Sequence, residues 1–99
     1  MSDEAAGAVA ARRALELAYR EEWTLLLATL AGQVGGDLAL AEDAVAEAFA
    51  AAAAEWPQRG VPTRPGGWLT TVARRRAIDH LRREQTRRVL DLHLPGERA

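Results

Sequence analysis

The chain has 99 residues, of which 48% are hydrophobic and 27% charged, and its net charge is −1. These values predict one soluble globular domain, just large enough to bury a core. Cysteine is absent, which excludes disulfides and thiolate metal sites. No apolar run approaches the ~20 residues that span a bilayer, and the acidic N-terminus is unlike a signal peptide. We therefore expect a cytoplasmic protein with no membrane contact and no cofactor.

The charges are divided between the two halves of the chain. Residues 1–58 carry ten acidic residues and three arginines, whereas residues 59–99 carry ten arginines and four acidic residues. All 13 basic residues are arginine, whose planar guanidinium binds phosphates and base edges better than an ammonium does. The division indicates two partners of opposite charge. The alternative is two solvated helix faces that differ in sign.

The first predicted element is a helix over residues 11–34, which follows a flexible segment at residues 1–10. Gly35 and Gly36 end this helix. Its apolar positions recur at helical spacing and are Leu15, Ala18, Tyr19, Leu25 or Leu26, Thr29 and Leu30.

The second predicted helix covers residues 38–56, with Asp37 as its N-cap and Pro57 as its end. Its apolar stripe consists of Leu38, Ala41, Val45, Ala48, Phe49, Ala52 and Trp56. Residues 57–67 hold three prolines and three glycines, which predicts a semi-rigid loop.

The third predicted helix begins near Pro65 or Gly66 and runs to about residue 88, and residues 89–99 are expected to fray as the start of a linker. Its apolar arc contains Leu69, Ala73, Ala77, Ile78 and Leu81. β-Branched residues are sparse and never alternate, so we expect no strands. The fold class is all-α, a compact bundle of three helices or four over residues 11–88.

Three acidic residues lie beside the apolar stripe of the second helix, namely Glu42, Asp43 and Glu47. Asp43 and Glu47 are four residues apart, and like charges at that spacing cost about 0.2–0.5 kcal/mol. A docking patch for arginines or lysines of a partner explains them, and a solvated face that tolerates the cost is the alternative. No nucleophile or base accompanies these carboxylates, so we do not expect an enzyme.

The side of the third helix opposite its apolar arc is rich in arginine. It carries Trp68, Val72, Arg75, Asp79, Arg82 and Arg83. Asp79 lies three or four residues from each of these arginines, so we expect it to hold them in defined rotamers. Such a helix suits nucleic acid, because arginines neutralise phosphates. Trp68 either stacks on a base or anchors the core, and simple solvation of the arginines is the alternative reading.

Two motifs in this chain resemble region 2 of bacterial sigma factors, specifically the extracytoplasmic function (ECF) group. The first is AEDAVAEAF at residues 41–49, which precedes a Trp-Pro pair. The second is PGGWLTTVARRRAIDHLRR at residues 65–83, which follows the Pro/Gly loop. Their order and spacing make the resemblance specific, and it extends over about residues 15–88.

The resemblance implies a promoter-recognition subunit of RNA polymerase. In that family the second helix docks on the basic clamp helices of the β′ subunit, and Asp43 and Glu47 occupy docking positions beside Glu42. The loop and third helix hold non-template-strand bases of the −10 element, which flip out as the duplex melts. The corresponding DNA-binding positions here are Arg59, Arg64, Thr70, Thr71, Arg74, Arg75, Asp79, Arg82 and Arg83. Trp68 matches a tryptophan that mainly packs.

The chain departs from the family pattern at two positions and in length. Many relatives carry asparagine where Arg75 stands and a larger apolar residue where Thr70 stands. Arginine binds guanine or a phosphate, whereas asparagine suits adenine, so the base preference is open. No region 4, which reads the −35 element, follows residue 88. We expect an excised domain, with a truncated homologue as the alternative.

Two other functions are compatible with the sequence. The first is a helical protein-interaction module whose partner is an anti-sigma factor or the protein's own C-terminal extension. The second is a regulator that places the third helix in the major groove of duplex DNA. Replacement of Arg75 by alanine would leave single-strand binding unchanged in the first case, and duplex would be preferred over single strand in the second.

Overall fold

The computed structural model describes residues 2–93, and within that range it contains three helices and no strand. Helix α1 spans Asp3–Gln33, α2 spans Leu38–Arg59 and α3 spans Pro65–His93. The prediction of an all-α bundle is confirmed, with three helices in the described range. Residues 94–99 of the expected linker lie outside that range.

Helix α1 begins eight residues earlier than predicted, so residues 3–10 are helical although we expected a flexible segment. Ser2 is the N-cap, and its Oγ accepts a hydrogen bond of 3.2 Å from the Ala5 amide. The early start has a tertiary cause, because these turns lie against the end of α2. A Cβ built on Gly7 would stand only 2.9 Å from the carbonyl oxygen of Pro57. A side chain at residue 7 would therefore separate the two helices.

The connection between α1 and α2 follows the predicted chemistry. Gly35 and Gly36 both have positive φ, at 70° and 84°, which glycine adopts without a Cβ clash. Asp37 then caps α2, and its Oδ1 accepts a 3.0 Å hydrogen bond from the Leu40 amide. The predicted N-cap is confirmed.

Helix α2 continues past Pro57 to Arg59, so the prediction that proline ends it is wrong. Proline lacks the amide that would bond to residue 53, but in the last turn this removes a single hydrogen bond. Gly60, with φ of 93°, ends the helix, and its amide donates to the Trp56 carbonyl at 2.9 Å. Because α3 starts at Pro65, the loop is confined to residues 60–64 instead of 57–67.

Helix α3 continues five residues beyond its predicted end at residue 88. Proline suits its first position, where no intrahelical amide bond is needed. The Trp68 amide closes the first turn by donating to the Arg64 carbonyl at 3.0 Å. Residues 89–93, which we expected to fray, continue the helix.

The core lies on both sides of α2, which packs against α1 and against α3. Four of its buried residues are alanines, and these allow the helix axes to approach closely. The largest fully buried side chains are those of Leu30, Val45, Trp56 and Leu69. The remaining core residues are Ala11, Ala18, Leu26, Leu40, Ala41, Ala44, Ala48, Ala52, Ala73 and Ala77.

Several residues of the predicted apolar stripes are exposed in the structure. They are Tyr19, Leu25, Thr29, Leu38 and Ile78. Periodicity identified the correct side of each helix, but the strip that a neighbouring helix covers is narrower than the apolar arc. Leu26 is the buried member of the Leu25 and Leu26 pair, with 4% of its surface exposed against 68%.

Candidate functional site

The acidic residues of α2 divide between two environments. Glu42 and Asp43 are exposed, whereas Glu47 turns toward α3 and is half-buried. Among the described residues, neither Glu42 nor Asp43 forms an ion pair. This part of α2 therefore presents two uncompensated carboxylates to solvent.

Glu47 joins α2 to α3. Its Oε2 lies 2.5 Å from His80 Nε2, and its Oε1 lies 3.5 Å from a terminal nitrogen of Arg76. The like-charge cost of placing it four residues after Asp43 is thus offset within the chain by two basic groups of α3. The docking role predicted for Glu47 stays a prediction, and the structure adds an intramolecular role.

The junction of the loop with α3 forms a groove with an apolar floor and basic edges. Trp68 and Val72 are half-buried at its base, whereas Arg64 and Arg75 are exposed. The groove is lined by Pro62, Thr63, Arg64, Gly67, Trp68, Thr71, Val72 and Arg75. The indole of Trp68 and the guanidiniums of Arg64 and Arg75 are planar groups on which a flat ligand could stack.

Trp68 anchors this groove to the core. Its ring packs edge-to-face on buried Trp56, with ring centroids 5.4 Å apart, and the pair is worth about 0.5–1.5 kcal/mol beyond its buried area. The core reading of Trp68 is confirmed by this packing, and the same side chain also lines the groove, whereas its stacking on a base stays a prediction. The ring is therefore held in a fixed orientation before any ligand arrives.

The predicted arginines take three kinds of position. Arg59 pairs with Glu55 at 3.5 Å near the end of α2, and Arg74 donates from Nε to Gln33 Oε1 at 3.3 Å. The others are exposed and form no ion pair within residues 2–93. These are Arg64, Arg75, Arg82 and Arg83.

Asp79 is exposed, and in the described part of the chain it pairs with none of the arginines that it was expected to hold. That prediction is wrong. The (i, i+4) ion pairs that do form, Glu55–Arg59 and Glu84–Arg88, both place a glutamate before the arginine. The side chain of aspartate is one methylene shorter than that of glutamate. An ion pair with a solvated guanidinium also contributes too little free energy to hold an arginine side chain close to Asp79.

Thr70 and Thr71 both direct their hydroxyl protons back into α3. Thr70 Oγ1 donates to the Gly66 carbonyl at 2.8 Å, and Thr71 Oγ1 donates to the Gly67 carbonyl at 3.0 Å. Each hydroxyl oxygen keeps its lone pairs, so it can accept a hydrogen bond from a ligand. Thr71 is exposed in the groove, whereas Thr70 is half-buried on the α1 side.

Two features of these surfaces were absent from the sequence-based expectations. The first is the pairing of Glu47 with His80 and Arg76. His80 falls three residues after Ala77 and seven after Ala73, so its position on the buried side of α3 was a usable signal. The second is Glu22 of α1, whose carboxylate lies over Gly66 so closely that a Cβ there would overlap it. No local pattern indicates that contact.

The family described as Sigma-70 region 2 matches residues 20–87. This span covers more than half of the chain and includes the acidic residues of α2, the loop and the groove. The chain belongs to the sigma-70 region 2 family. Neither a curated protein nor a solved structure matches it.

A sigma-70 region 2 domain functions in promoter recognition, so RNA polymerase core and promoter DNA are the partners of this family. It is a family of transcription initiation factors that are not enzymes. The described helices include none that could cross a membrane. Within residues 2–93, no cluster of three or more histidine, aspartate or glutamate side chains could hold a metal ion.

Proposed function

We propose that this region 2 domain belongs to an ECF-type sigma factor and captures unstacked non-template bases of the −10 element at the junction of the loop with α3. The groove carries the proposal, because it joins an apolar floor, Trp68 and Val72, to the exposed guanidiniums of Arg64 and Arg75. An unstacked base supplies a flat apolar face and a nearby phosphate, which this combination fits.

The acidic residues of α2 support a second part of the proposal, which is docking on polymerase. Glu42 and Asp43 are exposed and unpaired within the described chain. We propose that they bind the basic clamp helices of the β′ subunit, with Glu47 contributing from the edge of the same patch. Since α2 packs against α3, docking would fix the position of the groove relative to polymerase in the cytoplasm.

The proposed mechanism is binding and involves no bond-making. Extrusion of a base costs a few kcal/mol, which stacking and phosphate contacts offset only in part when polymerase is absent. Arg82 and Arg83 would hold phosphates along α3. We therefore expect the isolated domain to bind DNA weakly and with strong salt dependence.

Arg75 is the residue proposed to set base preference at the groove. Its guanidinium can bond O6 and N7 of guanine together, or it can neutralise a phosphate. Thr71 lies on the same groove and can accept a hydrogen bond from a base amino group. A guanine at this point of the recognised sequence would indicate that Arg75 contacts a base and does not only bind a phosphate.

The DNA half of the proposal is tested by fluorescence anisotropy with single-stranded and duplex −10 oligonucleotides at several salt concentrations. Arg75→Ala should weaken single-strand binding about ten-fold, a loss of ~1.4 kcal/mol that is within the range for a specific base contact. Arg13→Ala, which removes an exposed arginine from α1, is the matched control. Tight duplex binding that is insensitive to salt would contradict the proposal.

The docking half is tested by capture on immobilised β′ clamp helices. Asp43→Arg should abolish capture, because it reverses an exposed charge within the patch. Glu21→Arg makes the same reversal at an exposed position of α1 and should leave capture intact. Equal capture by the wild type and Asp43→Arg would exclude this surface as the polymerase contact.

A further inference from the structure

A cluster of three aromatic side chains lies at the surface between α1 and α2. Tyr19 and Trp23 of α1 have ring centroids 5.0 Å apart, and Phe49 of α2 lies 5.9 Å from the first and 5.4 Å from the second. Trp23 and Phe49 are half-buried against the core, but Tyr19 is 56% exposed. We call Tyr19, Trp23 and Phe49 the aromatic cluster.

The aromatic cluster adjoins Glu42 of α2. Phe49 follows Glu42 by seven residues, so the two lie on one side of the helix about 10 Å apart. Ala46 and Ala53 flank Phe49 on that side, and both are exposed. Because Ala46 lies between Glu42 and Phe49 and has a small side chain, a partner helix could approach the backbone closely between the ring and the carboxylate. Arginine occurs in α2 only at Arg59, in its last turn.

The negative charge beside the aromatic cluster indicates which kind of partner this surface could bind. Nucleic acid and anionic membranes would be repelled by Glu42 and Asp43. A second copy of the chain, placed symmetrically on this surface, would bring the same carboxylates face to face. A helix that carries arginines or lysines meets no such cost, since their stems can cover the rings while their cationic ends reach the carboxylates.

We propose that the aromatic cluster is the apolar centre of a docking surface for a basic helix, with Glu42 and Asp43 at its charged edge. The inference rests on the proposed function, in which that basic helix belongs to the β′ clamp. Interfaces draw most of their affinity from a few central aromatic residues, whereas charges at the edge mainly steer the encounter. Tyr19, and not only Asp43, should therefore determine how long the complex persists.

The test measures affinity and dissociation rate for RNA polymerase core by biolayer interferometry. Tyr19→Ser should weaken binding about ten-fold and act mainly on the dissociation rate, whereas Tyr19→Phe, which retains the ring, should bind as the wild type does. Leu17→Ser is the matched control, because Leu17 is 49% exposed and lies about 200° around α1 from Tyr19. Since both residues are exposed, neither change should unfold the domain.

The outcomes separate this inference from the proposed function. Asp43→Arg tests polymerase docking by α2 itself, and unchanged binding by that variant would overturn the docking proposal together with this inference. Lost binding by Asp43→Arg with unchanged binding by Tyr19→Ser would overturn this inference alone. An equal loss in Leu17→Ser would also overturn it, because the effect would not be specific to the cluster.

A second measurement uses the fact that the chain contains one tyrosine. The protein labelled with 3-fluorotyrosine has a single fluorine resonance, which reports on Tyr19. Titration with a β′ clamp-helix fragment should shift that resonance in the wild-type background and leave it in place when Asp43→Arg is present. A wild-type resonance that does not move while the fragment binds would show that the cluster lies outside the interface.

Discussion

The bridge between Glu47 and His80 gives the sharpest test of how α2 and α3 are held together. The perturbation is a double-mutant cycle built from Glu47→Gln, His80→Gln and the double variant. Each single change keeps a side chain of similar size while it removes the charge of Glu47 or the imidazole of His80. The cycle therefore isolates the interaction across the 2.5 Å contact.

The magnitude follows from the exposure of the two side chains. A hydrogen bond to a charged group contributes about 1.5–3 kcal/mol when it is shielded from water. Here 33% of the Glu47 side chain and 26% of the His80 side chain remain exposed, and solvent screening reduces the value. We expect a coupling free energy of about 1 kcal/mol, well above the ~0.3–0.5 kcal/mol within which independent sites add.

The assay is urea unfolding followed by far-ultraviolet circular dichroism, with each free energy taken at one pH and salt concentration. Arg76→Gln in the same background measures the weaker contact at 3.5 Å, where 45% of the arginine side chain is exposed, and should show coupling of only a few tenths of a kcal/mol. Strict additivity of Glu47→Gln and His80→Gln would refute the reasoning, because it would mean that these side chains do not interact in solution.

Three further predictions concern the fold that positions the two surfaces. Gly32 is exposed in the last turn of α1, and a Cβ there would meet no atom within 4 Å, so Gly32→Ala should raise the melting temperature through its helix propensity. Gly7→Ala should lower the melting temperature, because overpacking against Pro57 costs about 1–3 kcal/mol and exceeds a propensity gain of about 1 kcal/mol. Equal stabilisation by both changes would contradict the contact between Gly7 and Pro57. Asp37→Ala should cost about 1 kcal/mol by calorimetry, since it removes the N-cap of α2, and Asp37→Asn should restore most of that loss. Trp56→Ala should cost about 3–5 kcal/mol in chemical unfolding, and a loss below 1 kcal/mol would show that the groove floor does not rest on this residue.

Local chemistry in the sequence was sufficient for most of the fold. The cap at Asp37, the two glycines before it and the 3.6-residue periodicity each act within one turn, so α2 was predicted to begin where it does. The ends that were missed depend on tertiary contacts. Residues 3–10 form helix against Pro57, and the chain remains helical through that proline because a single lost hydrogen bond costs little in a last turn.

The sequence predicted which residues of the candidate site share a face of one helix, but not which residues of two different helices make contact. Charge and spacing identified the acids of α2 and the arginines of α3, since both depend on the period of a single helix. Which residue of α3 meets Glu47 depends on the relative translation of two helices, which periodicity does not determine. His80 was therefore missed, and Asp79 was given a bracing role that its short side chain does not perform.

The arginine-only composition of the basic surface has a consequence for its control. A guanidinium remains protonated at any pH at which a protein stays folded, and the chain contains no lysine that could be acetylated. The surface formed by Arg64, Arg75, Arg82 and Arg83 therefore carries a charge that lysine acylation cannot reduce. Under the proposed function, regulation of strand capture would therefore act through the ionic atmosphere or through a ligand or partner that covers this surface.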